Sequence, residues 1–280
     1  MNFDFNEEQT MIMDGIARYI REEYDFDRRR SIIESDSAYS DDVWRQFAEL
    51  GWLSIPFDES YGGFGGHADD LAGVMLELGK GLIIEPYMST VVVFGSLLNA
   101  SNNDSLKEQL IPRIINGQYK GSFAYAEEQS RFEISDVKTS AQKCGDGYKL
   151  NGTKIAVIDA KESDGLIVTA RTGGSQYGAE GISLFLVDTS AEGVAVSSYN
   201  TMDSHSSSTI NLENVFVTEA NLIVDEGEGF RHIESCLPQI LLCLSAEALG
   251  IMEVLNKLTV EYSKTRKQFG APLGSFQALQ

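Results

Sequence analysis

The spacing of apolar positions divides the 280-residue chain into three zones. From 1 to about 120 the period is helical. Asn6 and Gln9 stand at capping-box spacing, and Glu7 and Glu8 suit the positive end of a helix. Ile12, Ile16, Tyr19 and Ile20 form one stripe behind them. Ser40 can cap a second helix carrying Val43, Trp44, Phe47 and Leu50, with a left-handed Gly51 to end it. Leu71, Val74, Met75 and Leu78 mark a third helix, expected to close near Gly79 and Gly81. Segments 87–99 and 104–115 read as two more.

From about 121 to 225 the period falls to two. Asn151-Gly152, between alternating runs, predicts a hairpin turn. Segments 166–169, 182–187, 194–196 and 215–217 follow as short strands, broken by Gly, Ser and Asp, which predicts an antiparallel barrel or sandwich. From about 226 the helical period returns. Leu244, Ala248, Ile251, Leu255, Leu258 and Tyr262 recur at steps of four and three, predicting one long packing face. A further helix is expected after Pro272 and is cut short at Gln280, so the chain reads as part of a longer protein. The expected fold is α+β and multi-domain. It comprises an N-terminal all-α domain (1–120), a middle antiparallel β-barrel domain (121–225) and the first helices of a truncated C-terminal bundle (226–280).

Composition narrows the function. With 42% hydrophobic residues and five prolines the chain has the makings of a packed core. A net charge of −20 repels nucleic acid and anionic lipid, and requires that any anionic ligand be held by local donors. Cys144, Cys236 and Cys243 form no CxxC pair, and the last two read as buried helix residues. Met1-Asn2-Phe3-Asp4 is acidic and shows no secretory leader. The apolar stretch Leu237 to Met252 is interrupted by Pro238, Gln239 and Glu247 and is short for a bilayer, so no membrane insertion is expected and cytoplasm is the default. His67, His205 and His232 lack metal-ligand spacing, and no GxGxxG follows a strand.

Specific wording then appears. Tyr262-Ser263-Lys264-Thr265-Arg266-Lys267-Gln268-Phe269-Gly270-Ala271-Pro272-Leu273, followed by Phe276-Gln277, resembles the signature that opens the C-terminal helical domain of acyl-CoA dehydrogenases. Leu50-Gly51-Trp52 with Pro56, Glu59 and Tyr61-Gly62-Gly63-Phe64-Gly65-Gly66 resembles that family's N-terminal domain. Asn151-Gly152-Thr153-Lys154 and the run 181–187 resemble its β-domain. The pieces follow the family's order along the whole chain.

The resemblance implies non-covalent FAD between the β-domain and the C-terminal helices, partly reached by a neighbouring subunit. It implies α,β-dehydrogenation of an acyl-CoA thioester in fatty acid or lipid catabolism, with electrons passed to electron-transfer flavoprotein. It also implies a dimer of dimers, either a homotetramer or a heterotetramer with a homologous subunit. Arg266 takes the place of the arginine that meets the FAD diphosphate of the adjoining subunit, a role suited to a planar charged fork. Gln268, Phe269 and Gln277 match neighbouring FAD contacts. Tyr125 and Ala126 align with the flavin-covering strand, together with Glu127, and Ser135 with a family serine. Val157 and Ile158 fall where backbone groups face the ring.

Several positions depart from the family pattern. Ala126 and Ile158 lack the hydroxyls expected beside the flavin, and Ala156 replaces an indole. In one branch of the family the catalytic glutamate falls at Ile240, which cannot accept a proton, and in the other it lies beyond residue 280. Glu247, two turns further on and expected to face a neighbouring helix, is the remaining candidate base. Three readings follow: a flavin-dependent dehydrogenase, a non-catalytic partner subunit of a heteromeric enzyme, and a flavin oxidase or monooxygenase of the same superfamily.

Overall fold

The computed structural model describes residues 5–35, 37 and 39–279. The acidic N-terminal tetrapeptide and Gln280 lie outside the described residues. The N-terminal part is helical: α1 (Glu7–Glu23), α2 (Phe26–Ile33), α3 (Asp41–Glu49) and α4 (Ala68–Gly81). A π-helical run, Tyr87–Phe94, then continues into α5 (Gly95–Asn99), followed by α6 (Asp104–Ile115).

The capping chemistry read from the sequence is present. Gln9 N donates to Asn6 Oδ1 at 2.8 Å and Asn6 N donates to Gln9 Oε1 at 2.9 Å. Val43 N donates to Ser40 Oγ at 3.4 Å, and Gly51 adopts φ +78°. The third helix closes at Gly81, as expected. It runs through Gly79, and the left-handed residue that ends it is Leu82, at φ +50°. Both glycines serve packing: a Cβ on Gly79 would collide with the Glu247 carbonyl, and one on Gly81 would press on Ile20.

The middle part is a curled seven-stranded sheet formed by β1 (Gly121–Ala124), β2 (Ser140–Cys144), β3 (Gly147–Ile158), β4 (Gly165–Arg171), β5 (Ile182–Asp188), β6 (Val194–Asn200) and β7 (Ser206–Thr218). Strands run in the order β1-β4-β2-β3-β7-β6, and β5 pairs with β4. β1–β4 and the single β2–β4 pairing are parallel; the rest are antiparallel. The hairpin turn is not at Asn151-Gly152. It lies between Cys144 and Gly147, with Gly145 at φ +63°. Asn151-Gly152 sits inside β3 at a register shift against β7, where a Cβ on Gly152 would collide with Thr139. Glycine is there for close approach, a use that turn propensity does not distinguish.

The C-terminal part is dominated by α7 (Gly229–Thr265), 37 residues long, and then a small hairpin of β8 (Lys267–Gln268) and β9 (Ala271–Pro272). Its packed face is Ile233, Cys236, Ile240, Cys243 and Gly250. The row expected to pack lies elsewhere on the helix: Leu244, Leu255, Leu258 and Tyr262 are all exposed in the single chain. Length and composition together make α7 apolar enough to cross a membrane, with a window of mean hydropathy 1.5. The sequence reading had bounded the apolar stretch at Leu237 and Met252, whereas the helix continues through polar turns on both sides. Beyond Pro272 the described residues form only 3-10 turns, Leu273–Ser275 and Gln277–Leu279.

Candidate functional site

The three parts of the fold converge on one cleft of about 250 Å³. Helix α4 and the segment after it supply Met75, Leu78, Ile83 and Glu85, and the π-helical run supplies Tyr87 and Met88. The end of β3 supplies Ile158 and Asp159, the β6–β7 loop Thr201, Asp203 and His205, and α7 Leu244 and Glu247.

Next to this cleft the sheet carries an open strip. Tyr125, Ala156 and Ile158 are exposed and Ala126 and Ile155 half-buried. Two bonds draw the segments together: Ile155 N donates to Ala126 O at 2.9 Å, and Ser122 Oγ donates to Ile158 O at 2.7 Å. A register shift between Lys154 and Val157 bulges β3 here, with Ala156 at φ +52°. Bulges of this kind re-aim a strand beside a site. Tyr125, Ala126, Val157 and Ile158, four positions singled out in the sequence, are thus neighbours at the cleft's edge. Val157 itself is buried in the sheet.

Below the strip lies a polar network centred on a Glu127–Lys154 ion pair. Lys154 is fully buried, and its Nζ donates to Glu127 Oε1 and Thr169 Oγ1, both at 2.7 Å. Glu127 also accepts from Lys138 N at 2.9 Å and Thr139 N at 3.0 Å. Burial pushes the Glu127 carboxyl upward, but the Lys154 charge and these donors more than reverse it, leaving it at about 2. Burial lowers Lys154 only to about 8, so the pair is ionised at neutral pH. Glu127 therefore anchors the strand from inside and does not face the ligand side. Arg171 plays a similar part for the loop bearing Ser135, donating to the Ser135 and Gln176 carbonyls at 2.9 Å and the Val137 carbonyl at 3.0 Å. Ser135 itself donates to Glu133 at 2.8 Å and is buried.

The acids of the cleft are electrostatically unusual. Asp159 is 6% exposed, accepts from Ser89 Oγ at 2.6 Å and stands 4.0 Å from His205 Nδ1. Burial raises its pKa to about 6 against the Ser89 hydrogen bond and the His205 ring. Burial also raises Glu85 and Glu247. Glu247 was expected to face a neighbouring helix. Its backbone does abut Gly79 of α4, while its side chain lines the cleft. Ile240 is buried on the same helix, with no protonatable group. Among the described residues, no three His, Cys, Asp or Glu side chains stand where they could share a metal ion.

Arg266, Gln268, Phe269 and Gln277 lie apart from this cleft. They cluster on and after the β8–β9 hairpin, where Arg266 O accepts from Leu273 N at 2.9 Å and the Phe269 ring, 93% exposed, meets Phe276 edge-on. Glu247 and Arg266 are 19 positions apart, which along a helix is about 29 Å.

A helical region, a curled sheet with an uncovered strip, and a long helix beside an acidic cleft make up the scaffold, and comparison with known proteins assigns it to a class of flavoprotein oxidoreductases. Residues 6–118, 122–215 and 227–280 match the family descriptions acyl-CoA dehydrogenase N-terminal, middle and C-terminal domain. A probable acyl-CoA dehydrogenase, YngJ of Bacillus subtilis, is 31% identical over 285 residues, covering 100% of this chain and 74% of that protein. Butyryl-CoA dehydrogenase from Megasphaera elsdenii superposes with a TM-score of 0.89 at 26% identity, over 100% of this chain and 74% of its own. The FAD complex of PigA superposes at 0.90 and 26% identity, over 99% and 74%. The chain belongs to the acyl-CoA dehydrogenase family.

Proposed function

We propose that this chain carries out FAD-dependent α,β-dehydrogenation of an acyl thioester of the acyl-CoA class, passing electrons to electron-transfer flavoprotein. The observation that carries this reading is the adjacency of the open strip to a cleft whose far wall holds a desolvated carboxyl on α7. Exposed Tyr125 and Ile158 beside a cleft are surfaces that a flat ring system would cover, so these residues fit a flavin. Tyr125, Ala126, Val157 and Ile158 would hold it, largely through backbone groups. FAD bound there supplies a hydride acceptor. Glu247, raised by burial, takes the α-proton in place of Ile240. Arg266, with Gln268, Phe269 and Gln277, reaches the FAD diphosphate of a second copy or a homologous subunit.

A second reading, a partner subunit without its own chemistry, draws on Ile240 and on the missing hydroxyls at Ala126 and Ile158. One experiment separates them: the visible spectrum of the purified protein, before and after anaerobic addition of butyryl-CoA and a panel of longer acyl-CoA thioesters. Bound flavin that bleaches supports the dehydrogenase; a colourless protein, even with excess FAD, supports the partner subunit. Glu247→Gln should slow bleaching by roughly 10²–10⁴-fold, the usual loss on removing a general base. Bleaching at the unaltered rate would remove Glu247 from that role.

A further inference from the structure

The cleft contains more acid than α-proton abstraction requires. Glu85 is 3% exposed, and its Oε2 has no hydrogen-bond partner. Its Oε1 accepts a long 3.3 Å bond from Ser40 N, and the Tyr24 hydroxyl also stands against the carboxyl. Asp159, buried at the end of β3, uses Oδ2 for Ser89 and leaves Oδ1 4.0 Å from His205 Nδ1. Asp203 and Glu247 add two more carboxyls, and His205 is the only basic residue among the described lining groups. Arg29, the arginine nearest the β6–β7 loop, directs its guanidinium to the Leu82 and Asp203 carbonyls instead.

A buried carboxyl without a partner is costly, because its desolvation is not returned by a hydrogen bond or a counter-charge. Glu85 Oε2, unpartnered, and Asp159 Oδ1, which faces only the His205 ring at 4.0 Å, call for a cationic ligand beside the apolar lining. Since no triad of ligands is placed to share a metal ion among the described residues, an organic cation is the better match. The apolar part of the lining, Met75, Leu78, Ile83 and Leu244, suits a short methylene chain.

We propose that the cleft selects an acyl thioester whose acyl chain ends in a protonated amine, with Glu85 and Asp159 receiving the ammonium. This rests on the acyl-thioester reading above and narrows it from fatty acyl groups to amino-acyl ones. An ammonium supplies the donors that Glu85 Oε2 lacks and a counter-charge for the two carboxyls that burial pushes toward their neutral form. Glu247, further along α7, stays free for the α-proton.

Calorimetric titration of the FAD-loaded protein with three CoA thioesters of equal chain length tests the idea: 6-aminohexanoyl-CoA, 6-hydroxyhexanoyl-CoA and heptanoyl-CoA. The expected result is about tenfold or tighter binding of the amine over both others, the range of a buried charge-assisted hydrogen bond. Glu85→Gln and, independently, Asp159→Asn should erase most of that preference while leaving heptanoyl-CoA affinity the same or higher. Equal binding of amine and hydroxyl, or tighter binding of heptanoyl-CoA, overturns the amine specificity and leaves the dehydrogenase reading intact. Failure of all three thioesters to bind overturns both.

Discussion

Single residues of the site set measurable pH dependences. Asp159 holds its proton up to about pH 6 in the folded chain, against an ordinary value of 3.8. A carboxyl that binds its proton more tightly when folded contributes stability at low pH and loses it as pH rises through that window. Between pH 4 and 6.5 the protein should lose up to about 3 kcal/mol from this group alone. Asp159→Asn should flatten that segment of a urea-midpoint profile; an unchanged slope would place the titration elsewhere. Glu127 acts in the opposite sense. Its folded value of about 2 means that its contribution is present above about pH 4.5 and lost as pH falls toward 2. Lys154→Met, which leaves the Glu127 carboxylate buried without its cation, should destabilise by about 3–5 kcal/mol in urea unfolding. None of this was readable from residue types. Lys154 was noted in the sequence as part of a family phrase, and only its zero exposure reveals it as the partner of Glu127.

At the scale of elements, α4 and α7 cross through two reciprocal glycines. A Cβ on Gly79 would strike the Glu247 carbonyl, and one on Gly250 would strike the Leu76 carbonyl. Backbone lies against backbone, and Lys80 clips the crossing by bonding Glu77 at 2.7 Å and Glu253 at 3.2 Å. Gly250→Ala should therefore cost about 1–3 kcal/mol despite the better helix propensity of alanine, the magnitude of an overpacked contact. A higher Tm for the variant would show that the helices can separate without penalty. Because the crossing also places Glu247 in the cleft, the same variant should weaken thioester binding. The element order was legible in the sequence, since capping residues such as Asn6 and Ser40 act locally and strand alternation reports a half-buried sheet. Glycine was the weak point. Gly152 reads as a turn, whereas it marks a close approach fixed by a distant partner, Thr139. The cleft was illegible for a related reason: its carboxyls come from four separated segments, and Glu85 and Asp203 belong to no local pattern at all.

For the molecule as a whole, the open question is how one chain completes its site. Arg266 lies about 29 Å along α7 from Glu247. The same stretch of helix exposes an apolar row, with Met252 57%, Leu255 57%, Leu258 60% and Tyr262 58% accessible. A long exposed apolar row is the kind of surface a second chain covers, and the proposed role of Arg266 requires that covering the row carry it to a neighbour's strip. Arg266→Ala should weaken FAD retention by about 1.5–3 kcal/mol, with Arg266→Lys recovering only part, since an ammonium is not a planar fork. Mixing gives the sharper test. Ala126→Arg should block the strip of its own chain, while Arg266→Ala leaves its strip open but offers no arginine to its neighbour. Neither variant alone should hold FAD tightly. In a two-fold assembly reformed from equal amounts, half the dimers are mixed and each holds one intact site, so about a quarter of all sites should regain tight FAD. Titrating FAD into the mixture and counting the tight sites gives the answer. Recovery near that fraction places Arg266 across the interface; none at all, in dimers shown to exchange, would mean that each chain builds its site from its own residues.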